Sequence, residues 1–350
     1  MCQAIIFIAG YIYYFYPMPT VSVILPFYQA ERTLQTALNS ISGQTFNDFE
    51  CLMINNNSTD KSIRIAEKHA EKDHRFRLLH EKQQGVAYAS ACGSRHSAAP
   101  IIARMDADDI AFRNRLELQV AYLKNHPGID AVTGKVKFGG DPVKAAGFKR
   151  YVDWNNSITT TTQIRLKRFI ELPLVNPTAM WRKSAEVQAG GYRYGNFPED
   201  YELWLRWIDK GLKIAKTGDY VLQWNDPPNR LTRTDRRYSS NAFYKIKTHY
   251  LARELQRINS QNPHVVVCGS SRIIRRRANK LKEHNIIIDA WLDIRENHDL
   301  AEKVINYDDL PEPGKIFILI YVSQPQIQSQ IVNYLQAKNY VEGVHFLLVA

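Results

Sequence analysis

The chain has only four cysteines in 350 residues and lacks any hydrophobic run long enough to cross a membrane. The cysteines form no C-x-x-C pair, so the sequence predicts neither a zinc site nor a disulfide framework. The apolar run at positions 4–16 falls short of the roughly 20 residues that a transmembrane helix requires. It also lacks the basic start and the small-residue cleavage site of a signal peptide. The four cysteines are Cys2, Cys51, Cys92 and Cys268. A reducing cytoplasm is therefore the expected location of the protein.

Two interpretations of residues 1–19 remain open, since this apolar and aromatic tail precedes the first clear strand pattern. In the first, translation begins at Met18, and residues 1–17 are an upstream artefact or a disordered tail. In the second, the aromatic side chains lie at the headgroup depth of a membrane and anchor the protein peripherally at its inner face. The side chains concerned are Tyr11, Tyr13, Tyr14, Phe15 and Tyr16.

Composition indicates a folded protein with an anionic partner. A hydrophobic fraction of 45% and a charged fraction of 23% exclude wholesale disorder. The length allows two domains. The net charge of +11 fits nucleic acid, an acidic membrane surface or a phosphorylated small molecule, and charge alone does not choose among them.

From Val21 onward, short apolar strands alternate with amphipathic helices. The strand pattern at positions 21–25 is followed by a helix pattern in which Leu34, Leu38 and Ile41 share one face. Further strand patterns lie at positions 50–54, 77–80 and 101–103. This alternation predicts an α/β fold, with a mostly parallel sheet flanked by helices. We assign residues 20–255 to this domain, although the pattern is less regular from about 130 to 230.

A second α/β unit is predicted from residue 262 to 350. A strand pattern at positions 265–267 leads into the turn Cys268-Gly269-Ser270-Ser271 and an arginine-rich helix. The turn has one of the three glycines of a nucleotide-binding loop, so the sequence favours a structural role over a phosphate site. Other strand patterns, at 286–288, 316–321 and 346–349, would complete a small Rossmann-like accessory domain without catalytic duty.

Three carboxylates, Asp106, Asp108 and Asp109, follow directly on the strand pattern at positions 101–103. In open α/β sheets, ligands bind beyond the carboxyl ends of the strands. Side chains at i and i+2 of an extended segment point the same way, so Asp106 and Asp108 can converge on a hard divalent cation, Mg²⁺ or Mn²⁺. Asp109 is expected to face elsewhere or to cap the next helix. An isolated Asp-x-Asp arises by chance about once in a chain of this length. The prediction of a cation site therefore depends on the position of the motif directly after a strand.

Glu199 and Asp200 stand at the start of a helix pattern over 201–210. Carboxylates are favoured at a helix N-terminus for electrostatic reasons alone, which is the simplest interpretation of this pair. Trp181, Trp204 and Trp224 could offer sugar-stacking surfaces, but core packing is the favoured interpretation for each.

Six segments follow one another along the chain: 21–28 (VSVILPFY), 40–46 (SISGQTF), 57–60 (NSTD), 85–89 (GVAYA), 105–109 (MDADD) and 198–201 (PEDY). Taken in this order, they resemble family 2 glycosyltransferases of the GT-A fold. The resemblance spans about 20–240, and the ordered set is more specific than any one segment. It implies a metal-dependent, inverting transfer of a hexosyl group from a nucleoside diphosphate sugar to an acceptor hydroxyl. It also implies a glycan or lipid-linked acceptor in cell-envelope or exopolysaccharide synthesis.

The resemblance also implies a nucleotide site. The turn Pro26-Phe27-Tyr28 would lie against the base, and Asn55 occupies the position where the family commonly has a base-contacting Asp. An amide both donates and accepts hydrogen bonds whereas a carboxylate only accepts, so the usual expectation of a uracil base is weakened here.

Roles at the reacting centre follow from the same resemblance. Asp106 would approach the ribose or the metal, Asp108 would ligate the metal of an Asp-x-Asp (DXD) motif, and Asp200 would be the general base. Arg230 and Arg233, within an arginine-rich segment that also holds residues 236 and 237, would close over the leaving diphosphate.

Two other functions fit the sequence less well. A nucleotidyltransferase would normally place a glycine-rich, basic phosphate loop after its first strand, and positions 26–30 (PFYQA) are neither. A non-catalytic nucleic-acid-binding protein would account for the positive charge, but an acidic crevice repels phosphate. We therefore expect no nucleic-acid partner.

Overall fold

The described residues contain two large β-sheets, each in a separate unit, and a two-stranded sheet near the N-terminus. The computed structural model describes residues 4–8, 11–15, 18–228, 230–258, 264–294 and 303–350. The first unit comprises Met1–Ser157, Val175–Tyr192 and Ala215–Pro227, and the second comprises Ile158–Leu174, Arg193–Ile214 and Pro228–Ala350.

Strands and helices alternate along most of the chain. The first part contains β1 (Ala4–Ile8), β2 (Tyr11–Phe15), β3 (Val21–Phe27), α1 (Leu34–Ser42), β4 (Phe49–Asn55), α2 (Ser62–Lys72), β5 (Phe76–His80), α3 (Val86–His96), β6 (Ile101–Arg104), β7 (Ile110–Ala111), α4 (Arg115–Asn125), β8 (Ala131–Phe138) and α5 (Ala146–Ser157). There follow α6 (Thr161–Lys167), β9 (Met180–Arg182), α7 (Lys183–Ala189), α8 (Glu199–Asp209), β10 (Ile214–Trp224), α9 (Leu231–Thr234), α10 (Ser240–Ile258), β11 (Val265–Cys268), α11 (Arg272–Ala278), β12 (Ile288–Leu292), β13 (Val304–Ile305), β14 (Phe317–Ile320), α12 (Pro325–Ala337) and β15 (Phe346–Leu348).

The main sheet of the first unit has the strand order β5-β4-β3-β6-β9-β8-β10-β7. Strands β5, β4, β3 and β6 are parallel to one another, whereas β9 pairs antiparallel with both β6 and β8. The register aligns Phe27 with Asn55, and Asn55 with His80, at the carboxyl ends of three adjacent strands. This confirms the predicted α/β fold and brings the loops after β3, β4 and β5 together.

The parallel strands lie at the centre of the core. Every residue of β3 and β4 is buried, as expected for parallel strands that are covered by helices on both faces. Helix α3 approaches this sheet closely at Gly93, where an added Cβ would lie 2.8 Å from Cδ1 of Ile54 and 3.0 Å from Cγ2 of Ile24. A larger residue at this contact would therefore force the side chains of Ile54 and Ile24 to move.

The region from 130 to 230 is more regular than its sequence pattern indicates. Strand β9 has only three residues, too few for an alternating pattern to be recognised. Helix α5 buries only Val152 and Asn155, and Phe148 and Tyr151 pack against the core from partly exposed positions. Short strands and a partly exposed helix therefore hide the order of this segment from sequence inspection.

One buried lysine in the first unit makes its stability depend on pH. Lys216 in β10 donates to the backbone oxygen and the Oδ1 of Asn155, at 2.5 and 2.8 Å. Burial, with a smaller contribution from Lys135, lowers the pKa of Lys216 from 10.5 to about 7. The unfolded chain therefore binds this proton more tightly than the folded chain, so stability rises as the pH increases from 7 towards 10.5.

We expect Lys216→Met to remove this pH dependence. Between pH 7 and pH 9 the wild type should gain about 2 kcal/mol more unfolding free energy than the variant. The variant is less stable at both pH values, because the oxygens of Asn155 lose their donor. Urea unfolding of both proteins at the two pH values measures the difference, and equal pH dependence would contradict the prediction.

The second unit contains a five-stranded parallel sheet of order β13-β12-β11-β14-β15. It bears out the expected second α/β sheet, although the strand predicted at 286–288 begins only at Ile288 and runs to Leu292. Asn285, in the left-handed conformation with φ 59°, ends the preceding 3₁₀ segment and delays the strand.

The turn after β11 is closed by a carboxylate of the chain itself. Ser270 donates from its backbone N–H and its hydroxyl to Oδ2 of Asp293, at 2.9 and 2.6 Å. Gly269 has a φ of 99°, a conformation that favours glycine. A carboxylate in this position repels phosphate, so the turn fits the structural role that its sequence favours.

The predicted boundary near residue 262 lies in the segment 259–263, outside the described residues, and remains a prediction. Helix α10 and the last strand nevertheless share contacts within the second unit. Lys247 of α10 donates to the backbone oxygens of Ile170 and Val349, at 2.9 and 3.0 Å. A truncation near residue 260 would remove one of these acceptors.

The N-terminal tail contains two paired strands. Residues of β1 and β2 pair antiparallel, from Ala4 opposite Phe15 to Ile8 opposite Tyr11. Residues 1–3, 9–10 and 16–17 lie outside the described part, and both interpretations of the tail stay predictions. Within the ranges that the structure describes, no helix has the length and apolar character needed to cross a membrane.

Candidate active site

Three carboxylates gather immediately after β6. Asp106, Asp108 and Asp109 each offer an oxygen, and these oxygens lie within 4.8 Å of one another. Asp106 and Asp108 are partly exposed, whereas Asp109 is buried. Grouped carboxylate oxygens are the ligands that Mg²⁺ and Mn²⁺ prefer, so this set fits the expected cation. The sequence predicted the first two residues, but Asp109 joins them instead of capping the next helix.

Asn225 fixes the turn that carries these carboxylates. Its backbone N–H donates to Oδ1 of Asp109 at 2.9 Å, and its Nδ2 donates to the backbone oxygen of Asp108 at 2.7 Å. The pairing of β7 with β10 brings Asn225 to this position. Sequence inspection could not find Asn225, because only the fold joins it to a turn 116 residues away.

Two buried arginines lie next to the carboxylates. Nη2 of Arg104 lies 2.5 Å from Oδ1 of Asp106, and Arg115 donates to the backbone oxygen of Arg104 at 2.6 Å. Burial lowers the pKa of Arg115 to about 10, against the opposing influence of Asp109 and Asp106. Because Asp106 shares its charge with Arg104, we expect it to be a weaker cation ligand than Asp108.

The predicted base-contacting turn is only partly accessible. Pro26 and Phe27 are buried within β3, whereas the side chain of Tyr28 is 53% exposed. The backbone oxygen of Phe27 accepts from the N–H of Asn56 at 3.0 Å, which ties this turn to the loop after β4. Tyr28 is therefore the one of the three whose side chain is open to a ligand.

Asn55 is buried at the carboxyl end of β4 and takes part in a local hydrogen-bond network. Its Oδ1 accepts from the N–H of Ser58 at 3.0 Å, and its Nδ2 lies 3.3 Å from Nδ1 of His80. The amide oxygen is thus used to form the turn, and the amide nitrogen lies beside an imidazole. Sequence reasoning missed His80, because its link to Asn55 depends on the register of β4 and β5.

Glu199 and Asp200 begin α8 in the second unit and have different surroundings. Glu199 is buried and accepts from the hydroxyl of Tyr238 at 2.7 Å. Burial and the charge of Glu199 raise the pKa of Tyr238 well above its usual value. Asp200 is partly exposed, and its Oδ1 accepts from the N–H of Tyr201 at 2.7 Å. Of the two, Asp200 is the more accessible.

The arginines of the arginine-rich segment, which belongs to the second unit, differ in their surroundings. Arg237 contacts both carboxylate oxygens of Asp235 and reaches 2.6 Å at the closest pair of atoms. This hydrogen bonding raises the pKa of Arg237 and lowers the pKa of Asp235. Arg230 stands just before α9, and Arg233 lies on α9 with an exposed side chain.

The three tryptophans considered as sugar platforms are all buried. Trp181 donates from Nε1 to Oε2 of Glu186 at 3.0 Å, and Trp224 packs on Phe148 with ring centroids 4.7 Å apart. Trp204 is fully buried. Core packing is therefore the role that the structure supports.

Comparison with known proteins identifies the class. Residues 22–188 match the family described as Glycosyl transferase family 2. The putative glycosyltransferase EpsE of Bacillus subtilis (strain 168) is 34% identical over 202 residues, which cover 56% of this chain and 69% of EpsE. AmsE of Erwinia amylovora, an amylovoran biosynthesis glycosyltransferase, is 28% identical over 205 residues, which cover 58% of this chain and 74% of AmsE.

The chain therefore belongs to glycosyl transferase family 2 and is a transferase, as its ordered motifs indicated. The fold agrees, since the crystal structure of S. aureus TarS 1-349 in complex with UDP-GlcNAc matches with a TM-score of 0.52. At 16% identity, the match covers 69% of this chain and 74% of the TarS chain, and it shows the shared GT-A fold.

Proposed function

We propose that this protein is a metal-dependent, inverting glycosyltransferase that moves a sugar from a nucleoside diphosphate donor to an acceptor hydroxyl. The observation that carries the proposal is the convergence of Asp106, Asp108 and Asp109 at the carboxyl end of β6. The acceptor is a glycan or a lipid-linked glycan of cell-envelope or exopolysaccharide synthesis. The biosynthetic role in the name of AmsE supports this assignment of the acceptor.

The donor site is assembled from the ends of adjacent strands. Tyr28 contacts the nucleotide base with its exposed ring, while the buried Pro26 and Phe27 hold the turn in place. Asn55 contacts the base through its amide nitrogen, since its oxygen already accepts from Ser58. Base recognition therefore depends on the network that fixes Asn55 as well as on Asn55 itself.

Asp108 and Asp106, with Asp109 behind them, would hold the divalent cation. When bound, such a cation stabilises the negative charge that grows on the departing diphosphate. Arg230 and Arg233 supply further positive charge to that group. Two buried arginines beside the acidic cluster keep these carboxylates in one arrangement, so little reorganisation is needed when the donor binds.

Asp200 accepts the proton of the acceptor hydroxyl. A sugar hydroxyl is a poor nucleophile, and a carboxylate within hydrogen-bond reach removes its proton as the new bond forms. One base and one leaving group are enough for a single displacement, and a single displacement inverts the anomeric centre. Glu199 accepts a hydrogen bond from the hydroxyl of Tyr238 and serves to position the start of α8.

A panel of nucleotide sugars tests the proposal. The purified chain is incubated with each donor in Mn²⁺ or Mg²⁺, and release of the nucleoside diphosphate is measured with and without EDTA. We expect at least one donor to be hydrolysed slowly in a metal-dependent manner. NMR of the anomeric proton in a transfer product then reports inversion. Turnover that persists in EDTA would refute the metal dependence.

A further inference from the structure

The carboxyl edge of the five-stranded sheet carries an unusual set of exposed aliphatic side chains. The register aligns Cys268 of β11 with Leu292 of β12 and with Ile320 of β14, so three adjacent strands end side by side. An exposed isoleucine follows the end of each of these strands within a few residues along the chain. These are Ile273, Ile294 and Ile327, with exposed fractions of 54%, 75% and 47%.

Cations accompany these isoleucines. Arg272 and Arg276 lie one turn apart on α11, on either side of Ile273, and both are exposed. Neither arginine pairs with a carboxylate in the part of the chain that the structure describes. Asp293, the nearest acidic residue in sequence to Ile294, accepts two hydrogen bonds from Ser270. Asp308 and Asp309 are exposed in the turn that follows the outermost strand, β13. Helix α11 carries four arginines and no carboxylate, so the positive charge is concentrated on this helix.

We propose that this edge, defined by Arg272, Ile273, Arg276, Ile294 and Ile327, docks on a bilayer that contains anionic lipids. Isolated aliphatic side chains insert into the headgroup region while arginines contact lipid phosphates, and the two contributions add. The turn at this edge is closed by Asp293, so the edge itself offers no site for a nucleotide phosphate. A protein partner would bury a continuous apolar patch, whereas these isoleucines stand apart on three separate segments.

Vesicle co-sedimentation of the full chain tests the docking surface. The probes are vesicles of phosphatidylcholine alone and vesicles with a substantial share of phosphatidylglycerol. We expect binding to the anionic vesicles that weakens as salt is raised. Arg272→Gln with Arg276→Gln should weaken it by roughly 30-fold. Ile273→Ser, Ile294→Ser and Ile327→Ser together should weaken it by roughly tenfold or more.

Matched controls lie at the opposite edge of the same sheet. Ile287 and Val344 are exposed there, just before β12 and β15, and Lys303 and Lys315 are exposed just before β13 and β14. Replacing Ile287 and Val344 by serine, or Lys303 and Lys315 by glutamine, should leave vesicle binding within about twofold of that of the wild type. All positions are solvent-exposed, so every variant should unfold at the wild-type temperature, which circular dichroism checks.

Several outcomes would overturn this proposal. These are absence of binding to anionic vesicles at low salt, equal binding to neutral vesicles, or equal loss in the controls. Sedimentation velocity provides a further test, since self-association that disappears in the triple isoleucine variant would assign the edge to a second copy of the chain. The docking variants should keep donor hydrolysis in solution, so failure here is distinguishable from failure of the proposed catalytic function.

Discussion

Replacing Asp108 by alanine should abolish metal-dependent turnover and weaken binding of the nucleoside diphosphate. Asp108 is partly exposed at the turn where three carboxylates converge, and its backbone oxygen is already held by Asn225. The substitution therefore removes a cation ligand while it leaves the turn in place. Calorimetric titration of the nucleoside diphosphate with and without Mn²⁺ measures the effect, together with donor hydrolysis.

The controls for this prediction separate the cation from the fold. Asp106→Ala should lower activity but retain some metal affinity, because Asp106 shares its charge with Arg104. Asp109→Ala should chiefly reduce stability, since it removes the buried Oδ1 that accepts from the backbone N–H of Asn225. Asp219→Ala removes an exposed carboxylate of the same unit and should change nothing. Wild-type activity of Asp108→Ala in Mn²⁺ or Mg²⁺ would disprove the metal site.

The parallel half of the main sheet could be predicted because it is locally encoded. Strands β3, β4 and β6 are continuous apolar runs that end in polar turns, and the helices between them show a clear apolar face. The position of Asp106 and Asp108 followed from the same pattern. The positions of polar side chains that follow the carboxyl ends of parallel strands are therefore accessible to sequence reasoning.

The rest of the site depends on long-range pairing that a local pattern does not encode. Asn225 reaches Asp109 through the pairing of β10 with β7, and His80 reaches Asn55 through the register of two strands. Buried charge is equally hidden, since nothing in the sequence distinguishes Arg115 or Lys216 from a solvated cation. The partner of Glu199 is hidden in the same way, since Tyr238, which donates to it, lies 39 residues further along the chain.

Asp200→Asn should reduce sugar transfer by a factor of roughly 10² to 10⁴, the usual range for a positioned acid or base, with donor affinity nearly unchanged. The amide keeps an oxygen that can accept from the N–H of Tyr201, so the start of α8 is preserved, but it cannot take a proton. The helix N-terminus favours the ionised carboxylate, which is the form that a general base requires.

The matched control is Glu199→Gln, one residue away on the same helix turn. Glutamine can still accept from Tyr238, and Glu199 is buried where Asp200 is accessible, so the effect on transfer should be mild. Transfer rates at saturating donor and the donor dissociation constant are measured for both variants. If Glu199→Gln is the more damaging change, the base has been assigned to the wrong carboxylate. If Asp200→Asn mainly abolishes donor binding, Asp200 belongs to the donor site, because a general base contributes to the transition state and little to the ground-state complex.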